Sequence, residues 1–138
     1  MARAEQWADK EAPSLEDIEA LAAAAWRRLP RQFRALCDNV VITVEDFPAD
    51  EVVRNMNLES PFDLLGLFHG VSLIQKSVMD PVSLPNMIYL YRRPILDYWA
   101  EHHETLDHLV THVLVHEIGH HFGLSDDDME RIEATADE

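Results

Sequence analysis

The chain has 138 residues, 47% of them hydrophobic, and its 26 acidic residues against 11 Lys and Arg give a formal net charge of −15. This length suits one hydrophobic core, so we expect a single domain over residues 14–138 behind a flexible tail over residues 1–13. The acidic balance argues against nucleic acid and anionic membranes as partners, because both bind basic surfaces.

The sequence also lacks the features of a secreted or membrane-inserted chain. Cys37 is the single cysteine, and residues 1–11 carry no apolar signal region. No run of about eighteen apolar residues occurs. A lone cysteine agrees with a reducing compartment. We therefore expect a cytoplasmic protein, whose charge keeps it soluble or favours basic substrates.

A helix is predicted to begin near Ser14. Ser14 and Asp17 form a capping-box pattern, and apolar residues recur at helical spacing up to Leu29, where Pro30 ends the helix. A short helical turn is predicted over residues 33–37. The N-terminal helix should therefore bury one face.

Three segments predict β-strands. Residues 40–44 form a nearly continuous β-branched run, typical of a central strand covered on both faces. Residues 64–71 predict a second strand, whose Gly66 and Gly70 indicate a bulge or a close backbone approach. Residues 87–91 predict the third strand.

Two further helices are predicted in the C-terminal half. Pro94 suits the first position of a helix that continues to about His102. A longer helix from about Thr105 to Phe122 carries an apolar stripe on one face. The neighbouring face of this helix is therefore expected to carry the functional residues.

That longer helix contains the pattern H-E-x-x-H-x-x-G-x-x-D, which begins at His116. His116 and His120 lie one turn apart on the same face, so both can bind one zinc ion, with Glu117 beside them as a general base. Gly123 can adopt the left-handed conformation that ends a helix and returns Asp126 to the metal. Because a catalytic zinc takes three protein ligands, Asp126 is the predicted third.

Asp126 has a second interpretation, in which Ser125 or Asp126 caps a final helix over residues 127–136. A capping residue can also be a metal ligand. His112 lies eight residues before His120, about 12 Å along a helix, so it cannot share one ion with both His116 and His120.

The other histidines carry no motif. His121 points about 100° away from His120 around the helix. Hydrogen bonding to a metal ligand stays open for four of them, namely His69, His108, His112 and His121, and a metal-binding role is the less favoured alternative for His108 and His112.

With these residues, the sequence resembles the small bacterial zincin-like metallopeptidases, or minimal zincins, which are related to the metzincin clan. Residues 63–70, 84–92 and 93–95 resemble the same family, and the similarity covers roughly residues 15–135. Metzincins carry a methionine turn well downstream of the third ligand, whereas Met129 lies too close to serve as one.

The resemblance implies an α+β minimal zincin-like domain with a small twisted mixed β-sheet of three or four strands. The sheet packs with the N-terminal helix and the active-site helix. The strand near residues 64–71 is then the antiparallel edge of the cleft, and the strand near residues 87–91 lies next inside it.

The predicted function is that of a zinc metalloendopeptidase with one zinc per chain, held by His116, His120 and Asp126. A zinc-bound water attacks the peptide carbonyl, and Glu117 removes its proton. A peptide or protein substrate lies along the edge strand.

His69 and Tyr89 are considered as further donors to the oxyanion. The alternative function is that of a catalytically weak or inactive zincin, which acts as a peptide-binding or metal-binding regulatory protein. Glu117 favours the enzyme, because a structural zinc site has no use for a base.

Overall fold

The computed structural model describes residues 3–37, 39–69 and 86–136. Its α-helices are α1 (Arg3–Trp7), α2 (Leu15–Arg28), α3 (Arg31–Arg34), α4 (Asp50–Asn55), α5 (Arg92–Glu101), α6 (Leu106–His121) and α7 (Asp126–Ala136). Its strands are β1 (Val40–Glu45), β2 (Gly66–His69) and β3 (Asn86–Tyr91), and a 3-10 helix covers Pro61–Asp63. The predicted α+β class is confirmed. None of the described helices is long and apolar enough to cross a membrane.

The three described strands form a mixed sheet in the order β1-β3-β2. β1 runs parallel to β3 with Val40 opposite Asn86, and β2 runs antiparallel to β3 with Gly66 opposite Leu90. The predicted mixed sheet is confirmed, with an antiparallel edge strand and the strand near residues 87–91 beside it.

The prediction that the first strand is central is wrong, because β3 is the middle strand of the described sheet. Val41 of β1 is 40% exposed, so β1 is not covered on both faces. A continuous apolar run does not separate a central strand from an edge strand, because either can pack one face against helices.

The hydrophobic core lies between one face of the sheet and the helices α2 and α6, which also contact each other. Ile88 and Leu90 alternate along β3 and are fully buried against this layer. Ile18 of α2 and Leu114 of α6 are fully buried as well. The predicted packing of the N-terminal and active-site helices is therefore confirmed.

The helix starts follow local capping chemistry. Ser14 caps α2, since the Asp17 backbone N–H donates to Ser14 Oγ at 3.1 Å and the Ser14 N–H donates to Asp17 Oδ2 at 2.8 Å. α5 begins two residues earlier than predicted, so Pro94 is its third residue. A proline is tolerated there because N–H groups of the first turn have no intrahelical partner.

The structure describes other predicted segments only in part. The helix α1 lies within the predicted N-terminal tail and buries none of its residues. The strand predicted over residues 64–71 is observed from Gly66 to His69, after the 3-10 helix. Gly70 and the loop that contains Pro81 and Pro85 lie outside the described residues.

Candidate metal centre

The helix α6 carries the predicted site, and it is held by a cap at its N-terminus and by one face that packs in the core. Its first turn is capped by Thr105, whose Oγ1 accepts the backbone N–H of His108 at 3.1 Å. Apolar residues of α6 are buried in the core, among them Leu109, Val110, Val113, Leu114, Val115 and Ile118. The histidines one turn apart at 108, 112, 116 and 120 follow the side that this core leaves open.

His116 and His120 are brought together, as the motif requires. Their ring centroids lie 5.5 Å apart, with the ring planes at 82°. The side chain of His116 is only one quarter exposed. Two imidazoles one helical turn apart lie on the same face of a helix, which is the spacing that lets both bind one zinc ion.

Glu117 lies against the edge strand. A Cβ atom built onto Gly66 would lie 2.8 Å from Cγ1 of Val113 and 3.4 Å from Cγ of Glu117, so only glycine allows α6 to sit this close to β2. The predicted close backbone approach at Gly66 is confirmed. Burial raises the pKa of Glu117 to about 7.

The turn after α6 agrees with the sequence prediction. Gly123 has φ = +74°, and the Leu124 N–H donates to the Gly119 carbonyl oxygen at 2.9 Å, which ends the helix. Ser125 Oγ then accepts the Asp128 N–H at 3.1 Å. This bond gives the capping role at α7 to Ser125 rather than to Asp126.

A carboxylate from α7 reaches the histidines of α6. Oε1 of Glu133 lies 2.6 Å from Nδ1 of His112, and its Oε2 lies 3.7 Å from Nε2 of His116. Within the part of the chain that the structure describes, these three residues form the one group of potential metal ligands whose ligand atoms all lie within 4.8 Å of one another.

His120 and Asp126 are not part of that group. Asp126 is exposed in the first turn of α7. The structure therefore brings the rings of His116 and His120 together and places Glu117 beside Gly66 of β2, and the role of Asp126 as third ligand stays a prediction.

Glu133 is the residue that the sequence reasoning missed. It lies four residues after Met129, which is fully buried, so both fall on the inward face of α7. That spacing, together with the pair His112 and His116 on the preceding helix, is the signal that could have identified it.

The remaining histidines have other neighbours. Nδ1 of His108 lies 2.7 Å from Oε2 of Glu104. The ring of His121 packs on Phe68 at a centroid distance of 4.3 Å, which agrees with its predicted direction away from His120.

The two residues considered as oxyanion donors lie elsewhere. His69 and Tyr89 line a cavity of about 390 Å³ between the sheet and α4. Because side chains alternate along a strand, they project from the sheet face opposite to that of Gly66, which meets α6. Neither is brought to the candidate metal centre.

The donor chemistry of the centre fits zinc. Zinc in proteins is held by imidazole nitrogens and carboxylate oxygens, and catalytic sites keep one coordination position open. His116 and His120 can supply two nitrogens, and α7 carries the carboxylates of Asp126 and Glu133. The side of α6 next to β2 adds the partly buried carboxylate of Glu117.

A comparison with protein families agrees with this chemistry. The family model described as "zincin-like metallopeptidase" matches residues 37–136, which include every residue of the candidate centre. A search of curated proteins found no match to the chain.

Proposed function

Since this chain belongs to the zincin-like metallopeptidase family, we propose that it is a zinc-dependent endopeptidase. One observation carries the proposal. Glu117 is a partly buried carboxylate that directly follows a histidine of the motif and lies beside the edge strand on which a peptide can lie. A zinc site without catalysis needs no such group.

His116, His120 and Asp126 are the proposed ligands, with one zinc per chain. When bound there, zinc supplies a Lewis acid that polarises the substrate carbonyl and acidifies a water molecule. The turn at Gly123 supports Asp126 as the third ligand, because it redirects the chain immediately after His120.

Glu117 moves the proton in the proposed reaction. Its carboxylate takes a proton from water as the water oxygen bonds to the peptide carbonyl carbon, and then gives that proton to the amine nitrogen as the C–N bond breaks. One carboxyl group can perform both transfers, because the first transfer protonates it and the second removes that proton.

The proposed substrate is an extended peptide or protein segment. In the described sheet, β2 is bonded to β3 and has its other edge unpaired. Main-chain hydrogen bonds to that edge would place the peptide beside Gly66, next to Glu117. Such binding depends little on side chains, which fits a peptidase of broad specificity.

Replacement of Glu117 tests the proposal. The zinc-loaded wild type should cleave members of a proteome-derived peptide library, and a chelator should stop the cleavage. Glu117→Gln keeps the size of the side chain but removes the basic carboxylate, so it should retain zinc while cleavage falls at least about a hundredfold. Glu130→Gln, an exposed change on α7, is the matched control and should leave cleavage unchanged.

The second candidate is a metal-binding regulatory protein or a peptide-binding zincin without turnover. The group formed by His112, His116 and Glu133 favours it, because this group does not include the base. If wild-type protein cleaves nothing in the library while wild type and Glu117→Gln bind peptides equally well, the second candidate replaces the first.

A further inference from the structure

We propose that His112, His116 and Glu133 form a second ligand set for a divalent transition-metal ion, which competes with the catalytic set for His116. The competition rests on the proposed function, in which His116 and His120 hold the catalytic ion. The second ligand set itself rests only on the geometry of α6 and α7.

The first observation is the arrangement of the donors. The rings of His112 and His116 stack with centroids 3.9 Å apart, one turn from each other on α6. Each oxygen of Glu133 faces a different imidazole, Oε1 at 2.6 Å from His112 and Oε2 at 3.7 Å from His116. Two nitrogens and one carboxylate from two helices, with one position open, form a donor set that zinc and cobalt accept.

The second observation is that Glu133 Oε1 is buried but makes no hydrogen bond of acceptable geometry with any described residue. Its 2.6 Å contact with His112 Nδ1 is short enough for a hydrogen bond but lies outside the hydrogen-bonding direction. A buried carboxylate oxygen without a donor is costly, and a cation removes that cost.

The two sets exclude each other because they share one imidazole. His116 presents Nε2 to Glu133, and a ring nitrogen binds one metal ion at a time. An ion held by His112 and Glu133 therefore takes His116 away from His120. The protein would then carry metal in a form that lacks the complete catalytic set.

Cobalt binding tests the second set without any measurement of activity. The probe is Co²⁺, measured by its visible absorption and by equilibrium dialysis with elemental analysis. In the double variant His120→Asn/Asp126→Asn, the proposed catalytic set is lost and the second set is intact. This variant should still bind one Co²⁺ per chain, and binding should weaken at least about tenfold when Glu133→Gln is added.

Two further variants control for folding and bulk charge. His112→Asn, made in the same double variant, removes the second set at a side chain that is nearly half exposed, so it should fold and lose Co²⁺ equally. Glu130→Gln removes an exposed carboxylate from the same helix and should leave Co²⁺ binding unchanged. Far-UV circular dichroism confirms that each variant is folded.

The outcomes separate this inference from the proposed function. If the double variant binds Co²⁺ no better than His116→Asn does, or Glu130→Gln weakens binding as much as Glu133→Gln, the contact is an ion pair only and the second set is rejected. A wild type that binds two Co²⁺ per chain would refute the competition. A failure of peptide cleavage would reject the proposed function and leave these binding results as they stand.

Discussion

The partial burial of the Glu117 side chain on the side of α6 that faces β2 affects both its pKa and the stability of the protein. Burial disfavours the charged form, so the pKa in the folded protein rises from the ordinary 4.5 to about 7. The same effect means that the folded state of the metal-free protein holds a proton that the unfolded state releases. The contribution of Glu117 to stability must therefore fall as the pH rises through this interval, because its unfolded form binds fewer protons there.

The first prediction concerns this pH dependence in chelated, metal-free protein. Glu117→Gln removes the buried ionisable group, so it should be more stable than wild type at about pH 8, and this advantage should shrink toward about pH 5. Urea unfolding at the two pH values measures the difference. A difference between the two proteins that does not change with pH would contradict the assigned burial effect.

Asp126 and Asp127 offer a matched comparison at adjacent positions of the first turn of α7. Both are exposed, and both carry the negative charge that a helix N-terminus favours. Ser125 already caps the helix, so a general capping effect should not distinguish them. A difference in metal affinity between their variants would therefore report ligation.

The second prediction follows from that comparison. Asp126→Ala should weaken zinc binding at least about tenfold, because it removes the proposed third ligand, and Asp127→Ala should leave it nearly unchanged. Competition with a chromophoric chelator measures both affinities. Equal losses at the two positions would support an effect of bulk charge instead.

Among the helices and strands, the contact between α6 and α7 depends on Gly119. A Cβ atom at Gly119 would lie 2.4 Å from Sδ and 2.8 Å from Cγ of Met129, which is fully buried. The helices therefore approach closely where α7 must hold Glu133 against α6. The geometry of the second ligand set depends on this packing.

The third prediction is a double-mutant cycle on this contact. Gly119→Ala should destabilise the protein by about 1 kcal/mol, because an overpacking cost of about 1–3 kcal/mol exceeds a gain in helix propensity of about 1 kcal/mol. Met129→Ala alone should cost about 2–5 kcal/mol, and clearly less when Gly119→Ala is present. Urea unfolding of the four proteins measures the coupling, and strictly additive changes would exclude the steric contact.

Features set by short stretches of sequence could be predicted at the element scale. The capping box at Ser14, the register of His116 and His120, and the turn at Gly123 each depend on residues within a few positions of one another. Local chemistry decides them, so local patterns reveal them.

Features that depend on packing between distant segments could not be predicted in the same way. The run in β1 is compatible with either a central or an edge position, and only its pairing with β3 decides between them. Glu133 likewise contacts His112 and His116 only because α7 packs against α6, and no sequence motif predicts this packing.

At the scale of the whole molecule, one hydrophobic core includes residues from α2 to the end of α7. Ile18 of α2 and Ala136 of α7 belong to the same buried cluster. A net charge of −15 favours the approach of basic molecules over acidic ones.

The parallel pairing of β1 with β3 has a consequence for the order of folding. Partners in this register, from Val40 with Asn86 to Glu45 with Tyr91, are 46 residues apart (86 − 40 and 91 − 45). Closing such a loop costs entropy before any contact repays it, so β1 should dock late. His116 and His120 lie within one helix and need no such closure. The pair of histidines therefore forms together with α6 itself, and a metal ion that binds this pair would not need β1 to be paired with β3.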